Sequence, residues 1–408
     1  MDRQALEGIR IVDLSMGWAG PLAARHLADM GAQVIKIESL ERFDWWRSWE
    51  ATPEWIEDDG AEKSVAFNMV NRNKLNVTLD LEDPRGRDLL LKLVAGANAV
   101  VENYSGGVLP KLKLGYDVFC EAKANIILLS MPPFGANGPW AEFRAYGSTV
   151  EQSSGLPHLN GGPDDPPTMQ HVAYGDAVGG ITGACALLVA LRHQAKTGLG
   201  QYMDLSQVEG LFPLAAEGIL HYSATGQTPS RARNMHQHHP VHGVFPCMGE
   251  DNWIVIEARD ETEWQALKTC AAPTLDAFDN IDQCRAESDE INKVLSTWTR
   301  DQDASTLMHA LQENGVPAAS TLSASDLINH PQLEARDYWQ WRDRAVVGNQ
   351  PNPSPPYRGD RPLPIDTPAP TLGQHNTEVL SGILGLTQDE LGDLEAAGII
   401  GTRPRMPT

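Results

Sequence analysis

The stretch "IRIVDLSMGWAGPLAARHLADMGAQVIKIES", residues 9–39, contains two short apolar runs on either side of a segment with helical spacing. The runs "IRIVDLS" (9–15) and "AQVIKIES" (32–39) are typical of strands, whereas "PLAARHLADMG" (21–31) is typical of a helix that ends at a glycine. A strand, a helix and a strand within about 30 residues form a βαβ unit with parallel strands. The stretch therefore predicts an α/β fold.

The same alternation continues along the chain. Apolar runs occur at "LNVTLDL" (75–81), "AVVENY" (99–104) and "NIILLSMPPFG" (125–135), and "DPRGRDLLLKLVAGA" between the first two has helical spacing. Together they predict a doubly wound, Rossmann-like parallel sheet, which binds ligands at the carboxyl ends of its strands. The first turn, "SMGWAGP", is not G-x-G-x-x-G and disfavours a dinucleotide, but its glycine and the following helix start suit a phosphate or thioester group.

The composition changes in the second half of the chain. Residues 226–243, "GQTPSRARNMHQHHPVHG", are polar, basic and proline-containing, which is typical of a linker or an active-site loop. The strand-like "NWIVIEA" and several helical segments follow and predict a smaller α+β unit. We therefore expect a large Rossmann-like domain over 1–225, completed by 330–408, and a small domain with its preceding linker over 226–329.

The composition is that of a folded enzyme with an acidic surface. The 408 residues include 32 basic and 54 acidic side chains, a formal charge of −22, which disfavours nucleic acid and anionic membranes as partners. A small anionic ligand then requires basic side chains that are gathered locally. The sequence predicts neither a signal peptide nor a membrane span, so we expect a cytoplasmic protein. Five scattered cysteines predict reduced thiols and no zinc site.

One carboxylate stands out in "YGDAVGGITGACALLVAL", residues 174–191, where Asp176 precedes a long apolar run broken by glycines. Aspartate is a preferred helix N-cap, so a purely structural role is one interpretation. The other is a weakly solvated carboxylate in a glycine-lined cleft, which attacks an activated carbonyl. The small residues after it allow another backbone to approach closely. They are Gly179, Gly180, Gly183, Ala184 and Ala186.

Four separated blocks resemble the class III CoA-transferases, the CaiB/BaiF family. They are "LEGIRIVDLSMGWAGPLAARHLADMGAQVIKIE" (6–38), "NRNKLNVTLDLEDPRGRDLLLKLVAGANAVVENYSGGVLPKLKLGYD" (71–117), "YGDAVGGITGACALLVALRHQAKTGLGQYMDLSQVE" (174–209) and "PAPTLGQHNTEVLSGILGLTQDEL" (368–391). The resemblance implies a Rossmann-like large domain, a smaller domain and an interlocked dimer, with a homodimer expected and a heteromer with a paralogous subunit as the alternative. It also implies acyl-CoA and carboxylic acid substrates.

The family's nucleophilic aspartate corresponds to Asp176. In the implied reaction this carboxylate attacks an acyl-CoA thioester to give a mixed anhydride and then an aspartyl-CoA thioester, which the incoming acid converts into the new acyl-CoA. No cofactor besides the CoA substrates is implied. The positions that match the family's CoA-contacting residues are Gly17, Trp18, Ala19, Arg72, Lys74, Asn103, Tyr104, Lys111 and Arg144. Plain surface charge is the alternative interpretation of the four basic residues.

The chain departs from relatives within the same superfamily. Trp18 replaces the glutamine that is common in the formyl-CoA transferase branch, which disfavours a formyl or oxalate reaction. Tyr146-Gly147-Ser148 replaces the segment that carries the catalytic histidine of the α-methylacyl-CoA racemases, so a racemase is the weaker enzymatic alternative. A non-catalytic subunit of a heteromeric transferase is a further alternative, which the presence of Asp176 disfavours.

Two local clusters of side chains, one of histidines and one of tryptophans, have more than one interpretation. The histidine-rich segment contains His236, His238 and His239, which we expect, with Tyr146, to contribute to a substrate-covering lid. No cysteine or acidic ligand accompanies these histidines in the sequence, so we predict no metal site. The segment "FDWWRSWEATPEW" (43–55) holds four tryptophans, which suit either dimer packing or an apolar wall for the acyl group.

Overall fold

A computed structural model describes residues 4–170, 173–233, 235–236, 239–359 and 363–406. The chain divides into two compact units. The first comprises Met1–Leu156, Met169–Ile219 and Glu334–Thr408, and the second comprises Pro157–Thr168 and Leu220–Leu333. The segment 157–168, which the sequence places in the large domain, thus belongs to the second unit.

Eleven strands form three sheets in the described part of the chain. The strands are β1 (Arg10–Asp13), β2 (Gln33–Glu38), β3 (Lys74–Thr78), β4 (Ala99–Glu102), β5 (Ile127–Ser130), β6 (Gln201–Asp204), β7 (Val241–Pro246), β8 (Trp253–Ala258), β9 (Ala318–Ser320), β10 (Trp339–Arg344) and β11 (Gly348–Pro353). The first six pair in the order β3-β2-β1-β4-β5-β6, and every pair is parallel. This order confirms the predicted Rossmann-like α/β sheet.

The helices are α1 (Ala19–Asp29), α2 (Pro53–Glu57), α3 (Val65–Val70), α4 (Pro84–Ala95), α5 (Val108–Lys111), α6 (Tyr116–Ala122), α7 (Gly147–Gln152), α8 (Tyr174–Thr197), α9 (Ala216–Thr225), α10 (Glu261–Cys270), α11 (Ile281–Ala286), α12 (Ser288–Thr299), α13 (Ala304–Glu313), α14 (Ala324–Ile328), α15 (Pro331–Glu334), α16 (Asn376–Gly382) and α17 (Gln388–Ala396). Short 3₁₀ helices cover Gly60–Glu62, Leu156–Leu159 and Glu209–Ala215.

Both faces of the six-stranded sheet are buried. Successive side chains of a strand point to opposite faces, so Val12 and Val100 belong to a core with α4, α6, α16 and α17, whereas Ile11 and Val101 belong to a core with α1 and α8. Continuous apolar strands are the sequence signature of a sheet that is covered on both sides. The carboxyl ends of β1 and β4 lie side by side where the strand order reverses, which is the usual ligand site of such a sheet.

Helices α1 and α8 cross closely because α8 carries glycines at the contact. A methyl group on Gly180 would lie 2.7 Å from Leu22 Cδ2 and 2.9 Å from the Ala19 carbonyl oxygen, and one on Gly183 would lie 2.9 Å from Met131 Cε. The prediction that small residues allow a neighbouring backbone to approach is confirmed. The start of α8 is thereby held close to the start of α1.

Helix α8 is long and apolar enough to cross a membrane by length and composition. Half of its most apolar window is buried, against α1 and β5. The core helix of a globular protein satisfies the same criteria, and the buried half of α8 is covered by the protein's own fold.

The second unit contains an antiparallel sheet in the order β7-β8-β9 with helices on it. Its core includes Val241, Ile254, Trp264, Leu295 and Leu311, which come from two strands and three helices. It has the α+β composition that the sequence predicts.

Candidate active site

Asp176 lies in the first turn of α8. The residue is 9% exposed, and its carboxylate accepts hydrogen bonds from the backbone N–H groups of Ala19 and Gly147. Ala19 is the first residue of α1, where the N–H groups have no partner within the helix. Burial raises the pKa of Asp176 to about 6, although both N–H donors favour the charged form. The carboxylate is therefore weakly solvated and largely ionised at neutral pH.

The helix-cap interpretation of Asp176 is wrong. The N-cap residue of α8 is Ala173, and Asp176 is the third residue of the helix. Its carboxylate binds N–H groups of two other segments, from α1 and α7, instead of the start of its own helix. The side chain therefore points out of α8 toward the loop after β1.

Glycine is required at position 147. A methyl group there would lie 2.1 Å from Asp176 Oδ2 and 2.9 Å from Ala173 Cα, which is closer than side-chain carbons approach other atoms. The backbone of residue 147 can donate to the carboxylate only because nothing separates the two groups. This glycine therefore sets the position of the carboxylate.

The loop after β1 is fixed by neighbouring side chains. The Asn103 amide accepts from Met16 N at 2.8 Å and donates to the Met16 carbonyl oxygen at 2.8 Å. Gly17 has a φ of +73° and donates to Asp44 Oδ1, and a methyl group on it would lie 2.1 Å from Trp45 Cζ2. Asn103 and Gly17, both predicted CoA contacts, thus shape the loop that leads to Ala19.

The structure disagrees with the prediction that Arg72 and Lys74 contact CoA. Both are buried, with 0% and 1% exposure, and therefore are not presented to a phosphate group. Arg72 forms a two-pronged ion pair with Asp29, at 2.7 and 3.0 Å, at the end of α1. Lys74 Nζ donates to Asp13 Oδ2 at 2.9 Å and to the Pro21 carbonyl oxygen at 2.8 Å, in the first turn of α1. The two cations hold both ends of the helix that binds Asp176.

A cavity of about 690 Å³ opens at the carboxyl ends of β2, β3 and β4. Its wall includes Met16, Tyr104 and Lys111, so it begins beside the loop after β1. Five basic and four acidic side chains line it, so basic side chains are available there to an anion although the excess of positive charge is small. The basic side chains are Arg42, Arg87, Lys111, Lys113 and Arg405.

The sequence prediction found Tyr104 and Lys111 but missed the other cations of the cavity wall. Arg42 follows β2, and Arg405 comes from the C-terminal segment, where its backbone N–H donates to the Leu40 carbonyl oxygen at 2.8 Å. Nothing local in the sequence marks Arg405, because its place depends on a contact across most of the chain. Arg42 is an exposed charge in a loop, which sequence alone does not distinguish from an ordinary surface residue.

Arg144 lines a different cavity, of about 550 Å³, with Phe134, Trp140 and Phe143. Its side chain is exposed. The structure therefore places Arg144 and Lys111 at different cavities, and CoA binding by Arg144 stays a prediction.

Aromatic rings form a continuous cluster beside the residues that bind Asp176. Two of these rings immediately precede the N–H donors in the sequence. The Trp45 and Trp49 rings are stacked, with centroids 4.4 Å apart, and both contact the Tyr146 ring edge-on at 5.5 and 5.4 Å. The cluster, called here the aromatic wall, consists of Trp18, Trp45, Trp46, Trp49 and Tyr146.

The predicted lid histidines belong to the second unit. His236 and His239 stack with ring centroids 4.0 Å apart, and His238 lies outside the described residues. Their contribution to a lid stays a prediction.

Comparison with known proteins identifies the class of enzyme. The sequence profile of CoA-transferase family III matches residues 6–376. Succinyl-CoA–D-citramalate CoA-transferase of Chloroflexus aurantiacus is 30% identical over 97% of this chain and 98% of its own length. Succinate–glutarate CoA-transferase of Agrobacterium fabrum is 31% identical over 92% and 95%. The crystal structure of a CaiB/BaiF family protein from Brucella suis superposes with a TM-score of 0.84, at 29% identity over 93% and 100%.

The chain therefore belongs to CoA-transferase family III. It is a CoA-transferase with the CaiB/BaiF fold.

Proposed function

We propose that this enzyme transfers CoA from an acyl-CoA to a free carboxylic acid, with Asp176 as the covalent nucleophile. The observation that supports this most strongly is the position of the Asp176 carboxylate. It is buried, has no cation among its described hydrogen-bond partners, and is held by two backbone N–H groups. A carboxylate with so little solvation is a better nucleophile than one in water.

The reaction proceeds through two kinds of intermediate. An Asp176 oxygen attacks the thioester carbonyl, and the CoA thiolate leaves as the mixed anhydride forms. The thiolate then attacks the aspartyl carbonyl, which gives an aspartyl-CoA thioester and releases the donor acid with one oxygen from Asp176. The acceptor acid attacks this thioester and reverses the sequence, so that it leaves as acyl-CoA and returns one oxygen to Asp176. Because anhydride and thioester have similar acyl energies, we propose that no further cofactor takes part.

We propose that the 690 Å³ cavity binds the nucleotide part of CoA. Its five basic side chains suit phosphate groups, and Tyr104 offers an aromatic surface. Met16 lies in its wall, and Ala19, three residues further along the loop, binds Asp176. A CoA molecule seated there directs its thioester along this loop toward the nucleophile.

The acid partners are not determined by similarity alone. Relatives of about 30% identity are named for citramalate, glutarate and mesaconate, which are three different dicarboxylic acids. We propose that the aromatic wall contacts the acyl group, since it adjoins both N–H donors to Asp176. Large rings next to the nucleophile favour an acyl group with substantial apolar surface.

We propose that two chains interlock into a homodimer. The face of α8 that turns away from the sheet exposes Ile181 (56%) and Val189 (66%), and the following segment exposes Phe212, Leu214 and Ile219. Several exposed apolar side chains of this kind are typical of an interface between subunits. A heteromer with a paralogous subunit is the alternative, and mass measurement of the purified chain distinguishes the two.

The test is CoA exchange by the purified chain with a panel of acyl-CoA donors and carboxylic acid acceptors, followed by borohydride trapping. We expect new acyl-CoA products, and reduction of the trapped thioester to an alcohol on the peptide that carries Asp176. Exchange without trapping at Asp176 would reject the covalent route. Exchange of the α-proton without CoA transfer would indicate a racemase, and activity only beside a paralogue would indicate half of a heteromer.

A further inference from the structure

The histidine-rich loop of the second unit acquires an acidic partner in the folded chain. His242 is the second residue of β7 and lies directly opposite Glu257 of the antiparallel strand β8. Residues that face each other across such a pair have β-carbons about 5 Å apart. The sequence disfavours a metal site because no acidic ligand lies near the histidines along the chain. In the structure Glu257 supplies one, so this argument no longer applies.

Two imidazoles converge on one oxygen of this carboxylate. His242 Nδ1 lies 3.5 Å from Glu257 Oε1, and His239 Nδ1 contacts the same oxygen. The potential ligand atoms of His239, His242 and Glu257 all lie within 4.8 Å of one another. Ligand atoms around a tetrahedral zinc ion lie about 3.4 Å apart, given zinc–ligand bonds of about 2.1 Å. The three groups thus need only small side-chain adjustments to share one ion.

The surroundings of the cluster support a site rather than a chance contact. Both Nδ1 atoms are shielded from solvent, and among the described residues each has an ion-pair contact with Glu257 but no hydrogen bond of good geometry. His236 stacks on His239, and its Nδ1 accepts the His239 backbone N–H at 3.2 Å, which fixes His239 relative to His236. The three side chains are 24–36% exposed, so an ion can reach them.

We propose that His239, His242 and Glu257 bind one divalent transition-metal ion of the zinc class. Two imidazoles and one carboxylate suit zinc, cobalt or nickel better than magnesium or calcium, which prefer oxygen ligands only. Three protein ligands leave a fourth position for water. The ion joins the histidine-rich loop to β8 and takes no part in the CoA-transfer chemistry at Asp176.

The test is cobalt titration of the full-length protein, without an affinity tag and after dialysis against EDTA. We expect one equivalent of Co²⁺ with the intense visible absorption of a four-coordinate site, displaced by Zn²⁺ and not by Mg²⁺. His242→Asn and Glu257→Gln each weaken binding at least about tenfold. His309→Asn, which changes an exposed histidine on α13, is the matched control and leaves binding unchanged.

The thermal midpoint provides a second measurement, because binding to the folded state stabilises it. Zinc is expected to raise the midpoint of the native protein and of His309→Asn, and not that of His242→Asn or Glu257→Gln. Circular dichroism shows whether each variant is folded. No cobalt spectrum in the native protein, or the same affinity in all four proteins, would overturn the proposal.

Discussion

Asp176 differs from two other buried carboxylates of the first unit, Asp13 and Glu38. The pKa of Asp176 is raised, whereas the pKa of each of the other two is lowered. Burial raises the pKa of Asp176 to about 6, because only backbone N–H groups oppose it. Burial acts in the same direction on Asp13 and Glu38, but Lys74 and Lys36 outweigh it at Asp13 and Arg47 and Lys36 at Glu38, so the pKa of each is lowered. Burial destabilises the charged form of a carboxylate. Neighbouring cations determine whether this destabilisation is offset or remains.

Asp176 and the other two carboxylates therefore serve different purposes. Asp13 and Lys74 form an ion pair of 2.9 Å beneath the start of α1, and Glu38 pairs with Arg47 at 3.0 Å. These ion pairs stabilise the fold at the carboxyl ends of β1 and β2, and the paired residues are called here the framework. Asp176 differs because no cation among the described residues stabilises its carboxylate, which is the condition in which a carboxylate is reactive.

Replacement of Asp176, the reactive carboxylate, is expected to have the largest effect on activity. Asp176→Asn is expected to lower the rate of CoA exchange at least about 10³-fold, since an amide cannot form the anhydride. Asp117→Asn, an exposed position on α6, is the control and retains full activity. An Asp176→Asn enzyme that keeps more than a tenth of the rate, in a preparation free of deamidation, contradicts the assignment.

The same variant is expected to be at least as stable as the native protein at neutral pH. The native state binds the Asp176 proton up to about pH 6, whereas the unfolded chain releases it near pH 4. Stability that depends on the protonated group is thus lost as the pH rises from 4 to 6, by up to about 3 kcal/mol. Urea unfolding of both proteins at pH 4 and pH 7.5 measures this, and a marked destabilisation of the variant at pH 7.5 would disagree.

On the framework side, Lys74→Met leaves the Asp13 carboxylate buried without its partner. We expect a loss of about 3–5 kcal/mol in the free energy of unfolding, measured with urea. Because Asp13 becomes protonated at lower pH, the loss shrinks as the pH falls. The double variant Asp13→Asn/Lys74→Met removes both charges and is expected to recover much of the stability. A Lys74→Met protein as stable as the native one would show that the pair contributes little.

Gly147→Ala alters the contact between the two regions without changing any charge. The added methyl group would overlap Asp176 Oδ2, so the carboxylate must move away from the Gly147 N–H. We expect the exchange rate to fall about 10²-fold, since small misplacements of reacting groups have effects of this size. Gly210→Ala is the control, because its nearest atom lies 3.6 Å from the added carbon. Equal activity of the two variants would exclude a positional role for Gly147.

The pH dependence of the native enzyme tests the ionisation of Asp176, with a smaller expected change in rate. We expect kcat/KM to rise with pH through an apparent pKa of about 6 and to level off above it, since only the ionised carboxylate attacks. A profile that is flat between pH 5 and pH 8 would show that Asp176 does not limit the reaction in its charged form.

The βαβ stretch at 9–39 was sufficient to predict the sheet, because its strand and helix patterns are local. The resemblance selects Asp176, but the helix-cap interpretation of this residue is wrong, since the helix begins at Tyr174 rather than after the aspartate. The sequence does not show that Arg72 and Lys74 are paired, because their partners, Asp29 and Asp13, lie 43 and 61 residues away. Burial and long-range pairing are properties of the folded chain, and so sequence patterns do not reveal which cations are enclosed.

In the covalent route Asp176 exchanges an oxygen atom with the acids, and oxygen-18 labelling measures this exchange directly. The enzyme turns over with acyl-CoA and an acceptor acid labelled in its carboxylate, and is then digested and analysed by mass spectrometry. We predict oxygen-18 in the peptide that contains Asp176, and in the donor acid released in later turnovers. A labelled acyl-CoA product formed at the full rate, with no oxygen-18 in that peptide, would contradict a covalent aspartyl intermediate.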